Sequence, residues 1–254
     1  MLRELHAIFP NQLALTNLGS FSGPAAYQIY DRMGELPEND FMQAHRYLDP
    51  GAQLDVCRGP MDRLCADVVR ELLDRRSDCP AILAEVGAVE AHHASYSRLY
   101  EQDKEGTLLH DMLFAPFFAG SAGCGQPWHW DYLYIEKHDL YWHFARFVRA
   151  IDGLDPVAEE FRVYYTETDD LRVYGLRGKT RSICWCRDKA SDWSAELVGG
   201  REAKVLKGLE IPSDGAKKMR CYLPWEDRFT GAGELTDRAI LPDFARSIVV
   251  YLER

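Results

Sequence analysis

Over residues 1–156 the pattern of apolar and polar positions switches repeatedly between a strand period and a helix period. Leu13-Ala14-Leu15-Thr16-Asn17-Leu18 is a short, mostly apolar run closed by Gly19-Ser20, and it predicts a buried strand. Pro24 to Met33 has a weak helical pattern, with its proline suited to a first turn. Asp40 to Tyr47 predicts a second strand, closed by Asp49-Pro50-Gly51. From Pro60 to Arg75, the residues Met61, Leu64, Cys65, Val68, Val69, Leu72 and Leu73 fall on one face of a helix. Pro80 to Val86 is apolar except for Glu85, as suits a parallel strand buried on both faces. Thr107 to Phe118 predicts a helix, Ala122 to Trp130 a fourth strand and Asp139 to Ile151 a fourth helix.

Successive strand–helix units predict a parallel sheet with crossover helices. Two architectures fit: a doubly wound sheet, or half of a (β/α)₈ barrel, since a whole barrel takes about 250 residues. After Asp155-Pro156 the helical period disappears. Short strand patterns follow at 161–165, 171–176, 182–186, 203–206, 219–223, 238–241 and 247–252, separated by Gly, Asp and Pro clusters. They predict an immunoglobulin-like antiparallel sandwich. The expected organisation is therefore α/β over 1–156, then all-β over 157–254.

Composition narrows the partners. The chain carries 40 acidic against 30 basic residues, a net charge of −10. Such a surface repels nucleic-acid phosphates and anionic membranes but tolerates neutral sugars. No apolar run approaches the roughly 20 residues that span a bilayer. The seven cysteines include no CxxC pair at finger-like spacing, and no metal or organic cofactor is expected. Met1 to His6 has no signal-peptide pattern and reads as the inside of a helix leading to Phe9-Pro10. The expectation is a fragment of a longer protein; compartment stays open, secretion of the full-length protein included.

In parallel sheets and barrels, chemistry gathers at the C-terminal strand ends. The second predicted strand ends in His45-Arg46-Tyr47, where His45 and Tyr47 share a face. The third carries Glu85, followed by Gly87. The fourth ends in Trp128-His129-Trp130-Asp131, whose indoles make flat platforms for sugar rings. A carboxylate inside an apolar strand is costly unless it is paired or hydrogen-bonded. It serves either a structural ion pair or catalysis as nucleophile or base. Alone, the His–Tyr and Trp pairs also fit ordinary core packing.

Together these residues resemble clan A glycoside hydrolases, especially family 5-like cellulases and mannanases. Ala81 to Gly87 is similar to their seventh-strand nucleophile segment, and Gln43 to Tyr47 to their sixth strand. Leu109-His110-Asp111, Gly120 to Gly123 and Pro127 to Asp131 resemble their seventh helix and eighth strand. Leu15-Thr16-Asn17 would be the fifth strand, and the β-rich tail resembles the sandwich that follows some of these barrels. The resemblance implies strands five to eight of a barrel and retaining hydrolysis of a β-linked oligo- or polysaccharide. Glu85 would be the nucleophile, His45, Tyr47 and Asn17 would line the cleft, and Trp128 or Trp130 would stack on the sugar.

One departure stands out. The family's acid/base glutamate follows an asparagine on the fourth strand, and no Asn-Glu pair occurs here. Asp49, Glu90 and Asp131 lie in loops without any one being singled out. By itself the chain is therefore expected to be inactive, and a half-barrel with open sheet edges is expected to self-associate edge to edge. Two other readings are a non-catalytic carbohydrate-binding protein and an interaction module.

Overall fold

In the computed structural model, which describes residues 1–235 and 237–254, the chain divides into two units, Met1–Leu140 and Tyr141–Arg254. The first holds helices α1 (Leu2–Ile8) and α2 (Ala25–Gly34), strand β1 (Met42–Leu48) and helix α3 (Met61–Arg75). Strand β2 (Ala81–Ala88) and helices α4 (Leu99–Gln102) and α5 (Thr107–Phe118) follow. β1 and β2 pair in parallel. An isolated parallel bridge joins Ser20 to His45 on one side, and another joins Val86 to Pro127 on the other. Four chain segments thus run parallel as neighbours in sequence order.

The outer two are not regular strands, contrary to the expectation for 13–18 and 122–130, and the reasons are local. On the first, the Ala14 N–H donates to Asp40 Oδ2 (2.6 Å) and the Thr16 N–H to Asn39 Oδ1 (2.9 Å). Side chains thereby take donors that a ladder would use. On the last, Ala122, Gln126 and Trp128 donate to β2 carbonyls, but the Gly125 N–H turns away to the Met112 carbonyl of α5 (3.1 Å). That carbonyl lacks its usual helical donor because Pro116, four residues on, has no N–H. The loop repairs the helix and is fastened by it.

The helices follow from their patterns. α3 buries Met61, Leu64, Cys65, Val68, Val69 and Leu72, as its stripe predicts, while Leu73 stays at the margin. All twelve residues of α5 are buried, the condition of a helix with no solvent face. Arg46, on the face of β1 opposite His45 and Tyr47, is fully buried. It donates to both oxygens of Glu71 on α3 (3.1 and 2.8 Å) and to the Phe21 carbonyl (3.0 Å).

Among the described residues, the second unit contains helices α6 (Trp142–Ile151) and α7 (Pro156–Glu159) and ten strands. These are β3 (Arg162–Glu167), β4 (Leu171–Arg177), β5 (Arg181–Asp188), β6 (Val205–Leu206), β7 (Glu210–Pro212), β8 (Lys218–Leu223), β9 (Arg228–Glu234), β10 (Arg238–Ile240), β11 (Phe244–Ala245) and β12 (Ser247–Glu253). Six form one antiparallel sheet in the order β3-β4-β5-β12-β8-β9, and β7 with β10 and β6 with β11 form two short pairs. One face of the large sheet, with Val173, Cys184, Cys221 and Val250, shares a core with Ile211, Ala239, Leu241 and Phe244 from around the short pairs.

This all-antiparallel region differs from the four-plus-three partition of an immunoglobulin domain. The boundary also differs from the expected 156/157, because α6 belongs with the strands. Tyr251 Oη of β12 donates to the Ala150 carbonyl (2.7 Å), and Arg146 Nη1 donates to the Trp225 carbonyl (3.1 Å).

Candidate functional site

The pairing of β1 with β2 is interrupted once. Ala44 opposes Leu83, but His45 opposes Glu85, so Ala84 is an extra residue. Such a bulge re-aims the side chains that follow it. In strict alternation Glu85 would share the face of Leu83, which is buried, with Ala44 and Arg46. The bulge turns it instead to the face of His45 and Tyr47. There the Tyr47 hydroxyl donates to Glu85 Oε1, and His45 Nδ1 lies 3.4 Å from Oε2. The carboxylate keeps 20% of its surface exposed, enough to be reached. Burial, and then the carboxylate beside it, hold the Tyr47 phenol far above its ordinary range, so it stays a donor.

Gly87 makes the next layer possible. A Cβ there would lie 2.9 Å from Tyr100 Oη, 3.1 Å from Tyr47 Cε1 and 3.2 Å from His129 Nδ1, so three rings converge on the missing side chain. Tyr100 Oη accepts from the Ala88 N–H (2.6 Å) and lies 3.0 Å from His129 Nδ1. Tyr100 stacks on Tyr134 at 4.1 Å, and Tyr134 donates to Asp103 Oδ2 (2.5 Å). The Asp103 carboxylate also accepts the Thr107 and Leu108 N–H groups at the start of α5 (2.7 and 2.9 Å).

Burial lowers the pKa of His129, against the opposing pull of Asp131 and Glu85, and burial raises that of Tyr100. The imidazole is therefore held neutral beside the phenol. A histidine whose folded pKa is depressed contributes stability in full above its unfolded value of about 6.5 and loses it as pH falls below that. The unfolding free energy of the wild type is expected to decline more steeply between pH 7 and 5 than that of His129→Gln. Parallel slopes in urea titrations across that window would count against a buried neutral His129.

The other sequence-selected residues fare differently. Asn17 Oδ1 accepts from Gln43 Nε2 (2.7 Å), two residues before His45 and on its face. Trp128 and Trp130 are 55% and 61% exposed; His129, between them, is the residue drawn against Gly87. The WHWD run marked the place, but only the gap at Gly87 and the distant Tyr100 distinguish the histidine from the indoles. Each loop carboxylate holds backbone. Asp49 Oδ1 accepts from Gly51 and His92, Glu90 Oε1 from Arg98 and Asp131 Oδ1 from Leu133. His93, not singled out by sequence, sets its ring edge-on to Tyr47 at 4.4 Å. No cluster of three or more His, Cys, Asp or Glu suited to a metal ion occurs among the described residues, and no described helix is long and apolar enough to cross a membrane.

No family model and no curated protein matches the sequence. Among solved structures the chain is similar to a glycoside hydrolase family 44 xyloglucanase of Paenibacillus polymyxa in a structure with xyloglucan. The TM-score is 0.49 at 7% identity, over 100% of this chain and 59% of that one. It is also similar to α-galactosidase I of Mortierella vinacea (0.47, 9% identity, 89% and 62%). A third is a GH30 endoxylanase of Clostridium papyrosolvens C71 (0.41, 12% identity, 85% and 49%). The chain spans about half to three fifths of the length of these proteins. At scores this low, a functional assignment has to rest on the side chains around Glu85.

Proposed function

We propose that this chain carries the nucleophile side of a retaining glycoside hydrolase acting on a β-linked glycan, with Glu85 as the nucleophile. The observation that supports it best is the bulge at Ala84. It brings a reachable carboxylate to the face of a neutral phenol donor and an imidazole, within a set of parallel neighbours. The reading keeps the family 5-like, half-barrel resemblance as its frame, with segments 13–21, β1, β2 and 122–128 as strands five to eight.

In the first half-reaction a Glu85 oxygen forms a bond to the anomeric carbon, and the bond from that carbon to the leaving-group oxygen breaks, its electron pair departing with the leaving group. Tyr47 fixes the carboxylate through Oε1 and leaves Oε2 on the His45 side. Protonating a poor leaving group takes a second carboxyl about 5–5.5 Å from the first, supplied by sequence other than the Asp49, Glu90 and Asp131 turns. Trp128 and Trp130, both more than half exposed, would stack on a sugar face. Edge-to-edge self-association, at segments 13–21 and 122–128, is the expected route to oligomers.

The test bypasses the acid. A dinitrophenyl 2-deoxy-2-fluoro-β-glycoside needs no proton to depart, and its fluorine slows hydrolysis of the glycosyl ester. Wild-type chain is expected to gain the mass of one fluoroglycosyl group on the peptide containing Glu85, and Glu85→Gln to gain none. An unlabelled wild type, or equal labelling of both, would sink the nucleophile assignment. The exposed indoles favour one other reading, a glycan-binding protein without turnover; it predicts glycan binding with no label.

A further inference from the structure

The chain leaves β2 through a tight reversal over residues 89–96. Val89 and Tyr96 form an antiparallel bridge, the Glu90 N–H donates to the Ser95 carbonyl (2.9 Å), and the His93 N–H donates to the Glu90 carbonyl (3.0 Å). At the tip, His92 and His93 both have φ near 59°. Residues with a Cβ rarely adopt this left-handed conformation, which glycine or asparagine enters more readily. Two successive histidines are therefore a strained choice for this turn. Backbone held in such a state by its surroundings clusters at functional sites.

The two rings have different surroundings. That of His92 lies over Gly51, where an added Cβ would meet Nδ1 at 2.7 Å, and the His92 N–H donates to Asp49 Oδ1 (2.9 Å). The ring of His93 stands edge-on to that of Tyr47, with centroids 4.4 Å apart and planes at 76°. Its Nδ1 lies 3.4 Å from Ser20 Oγ, on the segment that bridges to His45. Tyr47 is 1% exposed, although the Glu85 carboxylate that it donates to is 20% exposed. Gly87 bounds the phenol ring near Cε1, where an added Cβ would lie 3.1 Å away. His93, itself exposed, covers the ring from another side. With both neighbours in place, the phenol has little room to swing its hydroxyl away from Glu85 Oε1, and water has little access to compete for that bond.

We propose that His93 is a positioning residue for the nucleophile: it holds Tyr47 so that the hydroxyl stays on Glu85 Oε1 and Oε2 is the oxygen presented to the anomeric carbon. This rests on the glycosidase reading and adds to it a residue that acts through Tyr47 rather than on the sugar. The left-handed backbone at the tip is then what it takes to carry an imidazole where a glycine would fold more readily.

The rate of labelling tests it. Dinitrophenolate release from the dinitrophenyl 2-deoxy-2-fluoro-β-glycoside, followed over a range of concentrations on residues 1–254, separates the rate constant of glycosyl-ester formation from binding of the glycoside. His93→Gly is expected to lower that rate constant about tenfold, the worth of a good aromatic pair, with little change in binding. In urea it is expected to be about as stable as the wild type, since glycine accepts the left-handed backbone. His92→Gly relieves the same kind of backbone away from Tyr47 and is expected to keep the rate within about twofold. Because His93 acts through Tyr47, the two effects are not expected to multiply: in a Tyr47→Phe background, His93→Gly costs less than about a further twofold. An unchanged rate in His93→Gly, an equal loss in His92→Gly, or a full further tenfold loss on top of Tyr47→Phe would overturn the positioning role. An unlabelled wild type would instead remove the nucleophile assignment, and this role with it.

Discussion

Incubated with β-glucan, β-mannan or an alkyl β-glycoside, residues 1–254 are expected to release no sugar above background. Retaining hydrolysis divides its work between an attacking carboxylate and a proton donor. Glu85 fits the first task. For the second, Asp49, Glu90 and Asp131 lie in nearby loops, yet each is already engaged by backbone N–H groups. General acid catalysis contributes about 10²–10⁴-fold, roughly 3–5 kcal/mol of barrier, and a sugar or alkyl alkoxide leaves slowly without it. A reducing-sugar assay over a day at high protein concentration measures the outcome. Turnover that disappears in Glu85→Ala would show that a proton donor is present after all.

Replacing Glu71 with alanine is expected to destabilise the first unit by about 3 kcal/mol. Arg46 has no exposed surface, and Glu71 supplies both of its carboxylate contacts. Removing one partner of such a pair leaves an uncompensated buried charge, a loss of about 3–5 kcal/mol. The lower figure applies because the guanidinium keeps the Phe21 carbonyl and its place 4.3 Å over the Phe21 ring. Replacing both partners, as Arg46→Met with Glu71→Leu, is expected to recover most of the loss, since an apolar pair of similar volume leaves no charge behind. Hydrogen exchange of β1 and α3 amides in urea reads this unit alone. A change below about 1 kcal/mol for Glu71→Ala would show that water reaches the guanidinium.

Much of the first unit was legible because its signals are periodic. Thr107 to Phe118 is helical from end to end as expected, and the α3 stripe is buried almost residue for residue. The alternation of His45 with Tyr47 correctly put both on one face. The bulge was not legible: Ala84 is one small apolar residue in an apolar run, and nothing local marks it as supernumerary. The layer behind Gly87 was missed for a related reason, since it is made by Tyr100 and His129, far apart in sequence.

In the second unit, β9 was overlooked because two glycines, Gly231 and Gly233, dilute its pattern. β7 and β11 are three and two residues long, too short to carry a period. β4, β5 and β12 are buried on both faces over most of their length. That removes the alternation from which a four-plus-three sandwich would be told apart from one dominant sheet.

The extra residue in β2 makes the direction of Glu85 a matter of counting. Keeping Ala84 but pairing it opposite His45 in an even ladder would preserve every side chain, yet it would turn the carboxylate into the helix layer beside Arg46. Anyone grafting this strand onto another scaffold, or aligning it with a distant sequence by apolar character alone, must therefore carry the irregularity along with the glutamate. In this strand the orientation of the reactive group is inherited through the pairing register, and it can be lost without a single substitution.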